Sequence, residues 1–194
     1  SVGVMVDPSG ARGTVIPMRV DVLTAERPVW RGLMHFWTFL LAIPAGVLLV
    51  VFADRPAART AAAIYAATLL LVFGTSAAYH RLAQSYRARL IMQRIDHSMI
   101  YLLIAGTYVP ICLIALPRAW GISLLAVVGS MAVTGIVLKL VAFQRFQWIS
   151  YALYPLMGWA AVAAAPALAA NLTPLQLGLI IAGGVAYSAG FPVL

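Results

Sequence analysis

The sequence predicts an all-α transmembrane fold, an up-and-down bundle with six membrane helices in this chain, and three observations carry that prediction. Of 194 residues, 63% are hydrophobic and only 9% charged, with a mean hydropathy of +0.97. Soluble domains carry roughly 25% charged residues, and no water-soluble core can hide this much apolar side chain. The apolar residues gather into six runs, each close to the ~20 residues that cross a bilayer as a helix. The links between the runs are short, which forces neighbouring helices to run antiparallel.

Residues 1–26 mix Gly, Pro, Asp7, Asp21, Glu26, Arg12 and Arg19 without a sustained apolar period. They read as an N-terminal cytoplasmic tail, and they lack the basic flank, short apolar core and small-residue cleavage site of a signal peptide. Residues 27–194 form the multi-pass domain. The first run, 32–53, holds Pro44, where a kink is expected. The second, 60–80, ends on Ser76 and His80. The third, 95–116, opens on Asp96 and His97 and carries Pro110 near its far end. The fourth, 119–142, offers Gly129, Ser130, Thr134 and Gly135 for small-residue packing. The fifth and sixth are 148–169 and 174–194. The links read DRPAAR, RLAQSYRARLIMQR, PRA, QRFQ and NLTP, and no repeat or internal symmetry is visible.

Charge sets the orientation. Ten of the 13 Lys and Arg residues fall on the side of the N-terminus and of the link between the second and third runs. Basic residues favour the cytoplasmic face, so both of these are expected in the cytoplasm of a cell-membrane protein. The net charge of +8 is therefore spent on topology and on anionic lipid head groups; nucleic acid is not an expected partner, and membrane lipids are. Cys112, the only cysteine, lies inside an apolar run and excludes an intrachain disulfide. Trp30, Trp37, Trp120, Trp148 and Tyr151 fall near helix ends, as an interfacial aromatic belt would place them, while Tyr154, Trp159 and Tyr187 lie deeper and are expected to pack between helices.

With this topology His35, His80, His97 and Asp96 share one layer near the cytoplasmic face. Ser76 and His80 are four residues apart, on one face of a helix and about 6 Å of rise from each other. Ionisable groups at membrane depth point to a functional site. A neutral His80 can ligate a metal, Asp96 can orient or deprotonate a water, and the Ser76 hydroxyl can bond a substrate oxygen. The alternative is structural: Asp96 near Arg94 and Arg81 as a salt bridge, histidines reaching the head groups, Ser76 bonding its own helix.

The chain resembles bacterial members of the hemolysin III family, within the progestin and adipoQ receptor superfamily, over about residues 27–190. The likeness is carried by RPVWRGLMH with His35, S-A-A-Y-H from Ser76 to His80, RIDHSMIYLLIAGTYVP from Arg94 to Pro110, LYPLMGW from Leu153 and GGVAYSAG from Gly183. The resemblance implies a seven-helix bundle with a cytoplasmic N-terminus and a Zn2+ held by His80 and by two histidines of an H-x-x-x-H pair on the seventh helix. Ser76 and Asp96 stand close to that metal as catalytic residues. It also implies zinc-dependent hydrolysis of a lipid amide, with a non-enzymatic membrane-perturbing (haemolytic), lipid-homeostasis or sensor role as the alternative. The sequence departs from the family pattern in two places. Arg31 and Met34 stand where many members carry an acid-Asn-Thr signature, and the paired histidines are absent. The chain is expected to be a piece of a longer one, with the second and third metal ligands missing.

Overall fold

The computed structural model describes residues 29–190; the expected tail over residues 1–26 and the last residues of the sixth run lie outside them. Every element among the described residues is helical. The helices are α1 (Val29–Val51), α2 (Pro56–Leu82), α3 (Tyr86–Pro110), α4 (Arg118–Val141), α5 (Gln147–Trp159), α6 (Ala165–Asn171) and α7 (Pro174–Gly190). A π-helical turn, Ile111–Ala115, extends α3, and a 3₁₀ turn, Ala160–Ala164, joins α5 to α6. Five rods are thus long and apolar enough to cross a membrane, the fifth being the composite Gln147–Asn171, and α7 is a shorter apolar helix of 17 residues. The protein is a multi-pass membrane protein, and its described residues form six helical rods. α1 runs unbroken through Pro44.

The link between the second and third rods is shorter than its arginines imply. α2 continues to Leu82, and α3 begins at Tyr86, where the Ser85 hydroxyl accepts a hydrogen bond from Ala88 N. A serine cap, followed by Arg, Leu, Met and Gln with good helix propensity, starts a helix well before the hydrophobic run. Asp96 and His97 therefore do not open the third helix. Asp96 is ten residues into it, about 15 Å of rise from its first turn.

Packing proceeds in chain order: α1 on α2, α2 on α3, α3 on α4. Close approaches fix the register of the first two. A Cβ on Gly32 would lie 2.8 Å from the Cβ of His80, and one on Gly46 would lie 2.8 Å from that of Ala66. Fourteen residues up one helix match fourteen down the other, so α1 and α2 stay in register over about 20 Å. Between α2 and α3, Gly106 admits the Thr68 side chain against its backbone.

The core sits between α3, α4 and α5, where Tyr101, Val128, Tyr154 and Met157 are almost wholly buried. Tyr101 and Tyr154 stack at 4.5 Å with 13° between their planes. Tyr hydroxyls stitch the rods together: Tyr101 donates to Ser150 O (2.8 Å), Tyr154 to His97 O (3.3 Å) and Tyr187 to Tyr154 O (2.8 Å). Tyr154 and Tyr187 thus pack between helices as the sequence predicts, whereas Trp159 is 61% exposed. The belt residues Trp30, Trp37, Trp120, Trp148 and Tyr151 are all exposed.

The fifth rod is not the continuous helix that its apolar run predicts. Tyr108 explains how the chain tolerates the break. Its hydroxyl donates to Met157 O (2.6 Å), lies 3.2 Å from Gly158 O and accepts from Ala161 N (3.0 Å). A helix that changes from α to 3₁₀ leaves backbone groups without their usual partners, and within a membrane these need protein donors and acceptors. One phenol from α3 supplies them.

Candidate functional site

The polar groups predicted at one depth come from α1, α2 and α3. His35 lies on the second turn of α1, Ser76 on the last third of α2 and His80 one turn beyond it. The constant register of α1 and α2 brings the two helices' polar groups together: His35 Nδ1 and Ser76 Oγ share a hydrogen bond of 2.6 Å. The His35 and His80 rings meet edge to face with centroids 6.4 Å apart. Tyr79 and Phe73 close the sides, with Tyr79 4.9 Å from the His80 ring and Phe73 5.7 Å from that of His35. Ser76 is 4% exposed and the two imidazoles are half-buried. Gly32 makes this possible, because any side chain there would collide with His80.

Asp96 stands on α3, half-buried. The contact of Gly106 with Thr68 sets its level: ten residues from Gly106 towards the start of α3 match ten from Thr68 towards the end of α2. Asp96 is therefore level with Ala78, between Ser76 and His80. At 100° per residue it lies about 80° round the helix from the line of contact with α2. None of the hydrogen bonds or ion pairs among the described residues involves Asp96, so the salt bridge to Arg94 or Arg81 is not formed. Arg94 instead donates to Leu140 O at 2.9 Å, and the Arg81 guanidinium lies 4.5 Å from the centre of the Phe36 ring.

His97 belongs elsewhere. It is half a turn from the α2-facing line, its Nδ1 donates to Gln93 O (2.8 Å), and its ring meets the Phe143 edge at 5.4 Å. Of the three histidines, two form the cluster. From the sequence His80 is the candidate ligand and His35 only shares its layer; the helix register identifies His35 as the partner of Ser76.

As a metal centre the cluster is incomplete. Catalytic zinc takes three protein ligands, and among the described residues no three His, Cys, Asp or Glu side chains come together as a group that could hold a metal ion. Two imidazoles, one of them engaged with a hydroxyl, fall short of that set. What the arrangement can do by itself is hold a serine hydroxyl in a fixed direction beside a second imidazole, under membrane-depth apolar walls.

Comparison with known proteins gives the lineage. The family model described as "Haemolysin-III related" matches residues 23–193. The chain is 34% identical over 172 residues to the Hemolysin-3 homolog of Bacillus subtilis (strain 168), covering 87% of this chain and 80% of that one. It is 36% identical over 168 residues to Hemolysin-3 of Bacillus cereus, covering 85% of this chain and 76% of that one. No solved structure matches it. The match spans all the described helices and the residues that form the His35–Ser76–His80 cluster, and the chain belongs to the hemolysin III family.

Proposed function

We propose that this protein hydrolyses a lipid amide at the cytoplasmic side of the cell membrane, with Ser76, His80 and Asp96 as the working groups and His35 positioning Ser76. The observation that carries the reading is the 2.6 Å hydrogen bond between His35 and Ser76 beside the His80 ring. Buried polar groups at membrane depth are costly, and a cluster of them is retained for function more readily than for packing. In the reaction, water adds across the amide C–N bond and releases a fatty acid and an amine. Asp96, level with the cluster, takes the proton of the attacking water and passes it to the nitrogen as the C–N bond breaks, so the amine leaves neutral. The Ser76 hydroxyl, held by His35, donates to the carbonyl oxygen as negative charge gathers on it.

Zinc bound through His80 is part of this reading. Because the described residues supply fewer than three ligands, the remaining donors have to come from outside residues 29–190. Metal analysis of the purified protein decides the point: stoichiometric zinc, lost in His80→Ala, is the expected result. Absence of zinc, or zinc unchanged in that variant, overturns the metal assignment. Release of fatty acid from a long-chain N-acyl amide, abolished in Asp96→Ala, tests the hydrolase itself.

A second reading is favoured by the same shortage of ligands and by the names of the two Bacillus relatives, Hemolysin-3 and a Hemolysin-3 homolog. In it the protein perturbs membranes without catalysis, and the polar layer is structural. Red-cell lysis that persists in His80→Ala and Asp96→Ala, with no amide turnover by the unaltered protein, selects this reading over the first.

A further inference from the structure

Lys139 stands apart from the site just described. It lies in the last turn of α4, is 2% exposed, and is the only fully buried charged side chain among the described residues. Its ammonium sits 5.1 Å from the ring centre of Phe143 and 5.0 Å from that of Tyr151. Two π faces attract a cation, but they are poor acceptors for its three N–H donors. Among the described residues no carboxylate or other acceptor meets it; the two acids there, Asp54 and Asp96, are unpaired with it. The side chain is buried along its length, and an ammonium met only by two rings calls for an anion.

The surroundings specify which anion. Arg94 reaches from α3 to the carbonyl of Leu140, the residue after Lys139. Arg145, in the short link that follows α4, lies over Phe146 at 5.5 Å. Arg94 thus reaches the end of α4 that carries Lys139, itself about 3 Å of rise from the last residue of the helix, and Arg145 follows in the next link. Around this end the surface is apolar: Leu140, Val141 and Trp148 are 42%, 77% and 73% exposed. A small soluble anion has no use for such walls, whereas a lipid with a charged head and two tails matches both halves.

We infer that Lys139, Arg94 and Arg145 form a binding site for the phosphate of an anionic phospholipid, with Phe143 and Tyr151 holding the ammonium in place and the lipid tails lying along α4 and α5. The site is independent of the proposed hydrolase.

The test uses the full chain, delipidated in detergent and titrated with phosphatidylglycerol or with phosphatidylcholine of the same acyl chains, with bound lipid counted by native mass spectrometry. Phosphatidylglycerol adducts are expected to persist, and to fall at least fivefold in Lys139→Met and in Arg94→Gln. Arg118→Gln, at the opposite end of α4, should change them less than twofold. Lys139→Met keeps the buried volume; if it elutes as aggregate, Arg94→Gln alone decides. Equal retention by both variants overturns the site, as does retention of phosphatidylcholine equal to that of phosphatidylglycerol. Displacement of the lipid by millimolar inorganic phosphate makes it a free-oxyanion site and overturns the lipid assignment.

Discussion

The contact between His35 and Ser76 separates two tasks that one hydrogen bond can perform, and substitutions at the two residues distinguish them. As an interhelical bond in a membrane it is worth about 1 kcal/mol, so His35→Phe, which keeps the ring, should lower the melting temperature only slightly. As a device that aims a hydroxyl at a developing oxyanion it is worth far more. Losing such a donor costs about 100-fold or more in turnover. Ser76→Ala is therefore expected to reduce kcat for a lipid amide about 100-fold with little change in KM, and His35→Phe to reduce it by a smaller factor. A kcat that follows the small stability loss and nothing more contradicts the positioning role. The spacing of Ser76 and His80 by four residues made their shared face legible in the sequence. The partner of Ser76 was not legible, since His35 lies 41 residues away and its rotation about the α1 axis follows from Gly32 admitting His80.

Among the elements, two joints are held by particular atoms. The 3₁₀ break of the fifth rod depends on the Tyr108 hydroxyl, which serves two carbonyls and one N–H, whereas the Tyr101 hydroxyl serves one carbonyl. Each backbone group left unsatisfied in a buried place costs about 1–3 kcal/mol. Tyr108→Phe should consequently destabilise the protein by about 2–3 kcal/mol and Tyr101→Phe by about 1 kcal/mol, measured by thermal unfolding in detergent. Equal losses would contradict the assignment. The α1–α2 joint depends on the absence of a side chain at Gly32. Gly32→Leu must push the helices apart at the level of the two imidazoles, for about 1–3 kcal/mol. Gly129→Ala meets nothing within 4 Å and should be neutral or stabilising by up to about 1 kcal/mol. Element ends were the least legible feature. The start of α3 at Tyr86 comes from local cap chemistry at Ser85, which the search for apolar runs passes over, and the break at Ala160–Ala164 is satisfied by a residue on another helix.

At the scale of the molecule, orientation is the property with the widest consequences, because it decides which compartment the His35–Ser76–His80 cluster faces. The excess of basic residues predicts that the link between α2 and α3 is cytoplasmic. With Cys112 replaced by alanine, a cysteine at Ser85 should react with a membrane-impermeant thiol reagent only after permeabilisation. A cysteine at Ala53, in the link between α1 and α2, should react in intact cells. The reverse pattern inverts the topology and moves the cluster to the outer face.

The sequence by itself determined that the chain crosses a membrane in antiparallel helices, because a bilayer demands apolar runs of a set length and short links leave the neighbours no other course. It also brought Ser76, His80 and Asp96 to a common depth, since depth follows from position along a span. Only the tertiary structure decided what meets what within that layer: His35 against Ser76, His97 turned towards Phe143, Lys139 enclosed by two rings. A helix apolar all round has no polar stripe to declare which face it buries, so its rotation is set by glycines, tyrosines and close fits contributed by its neighbours.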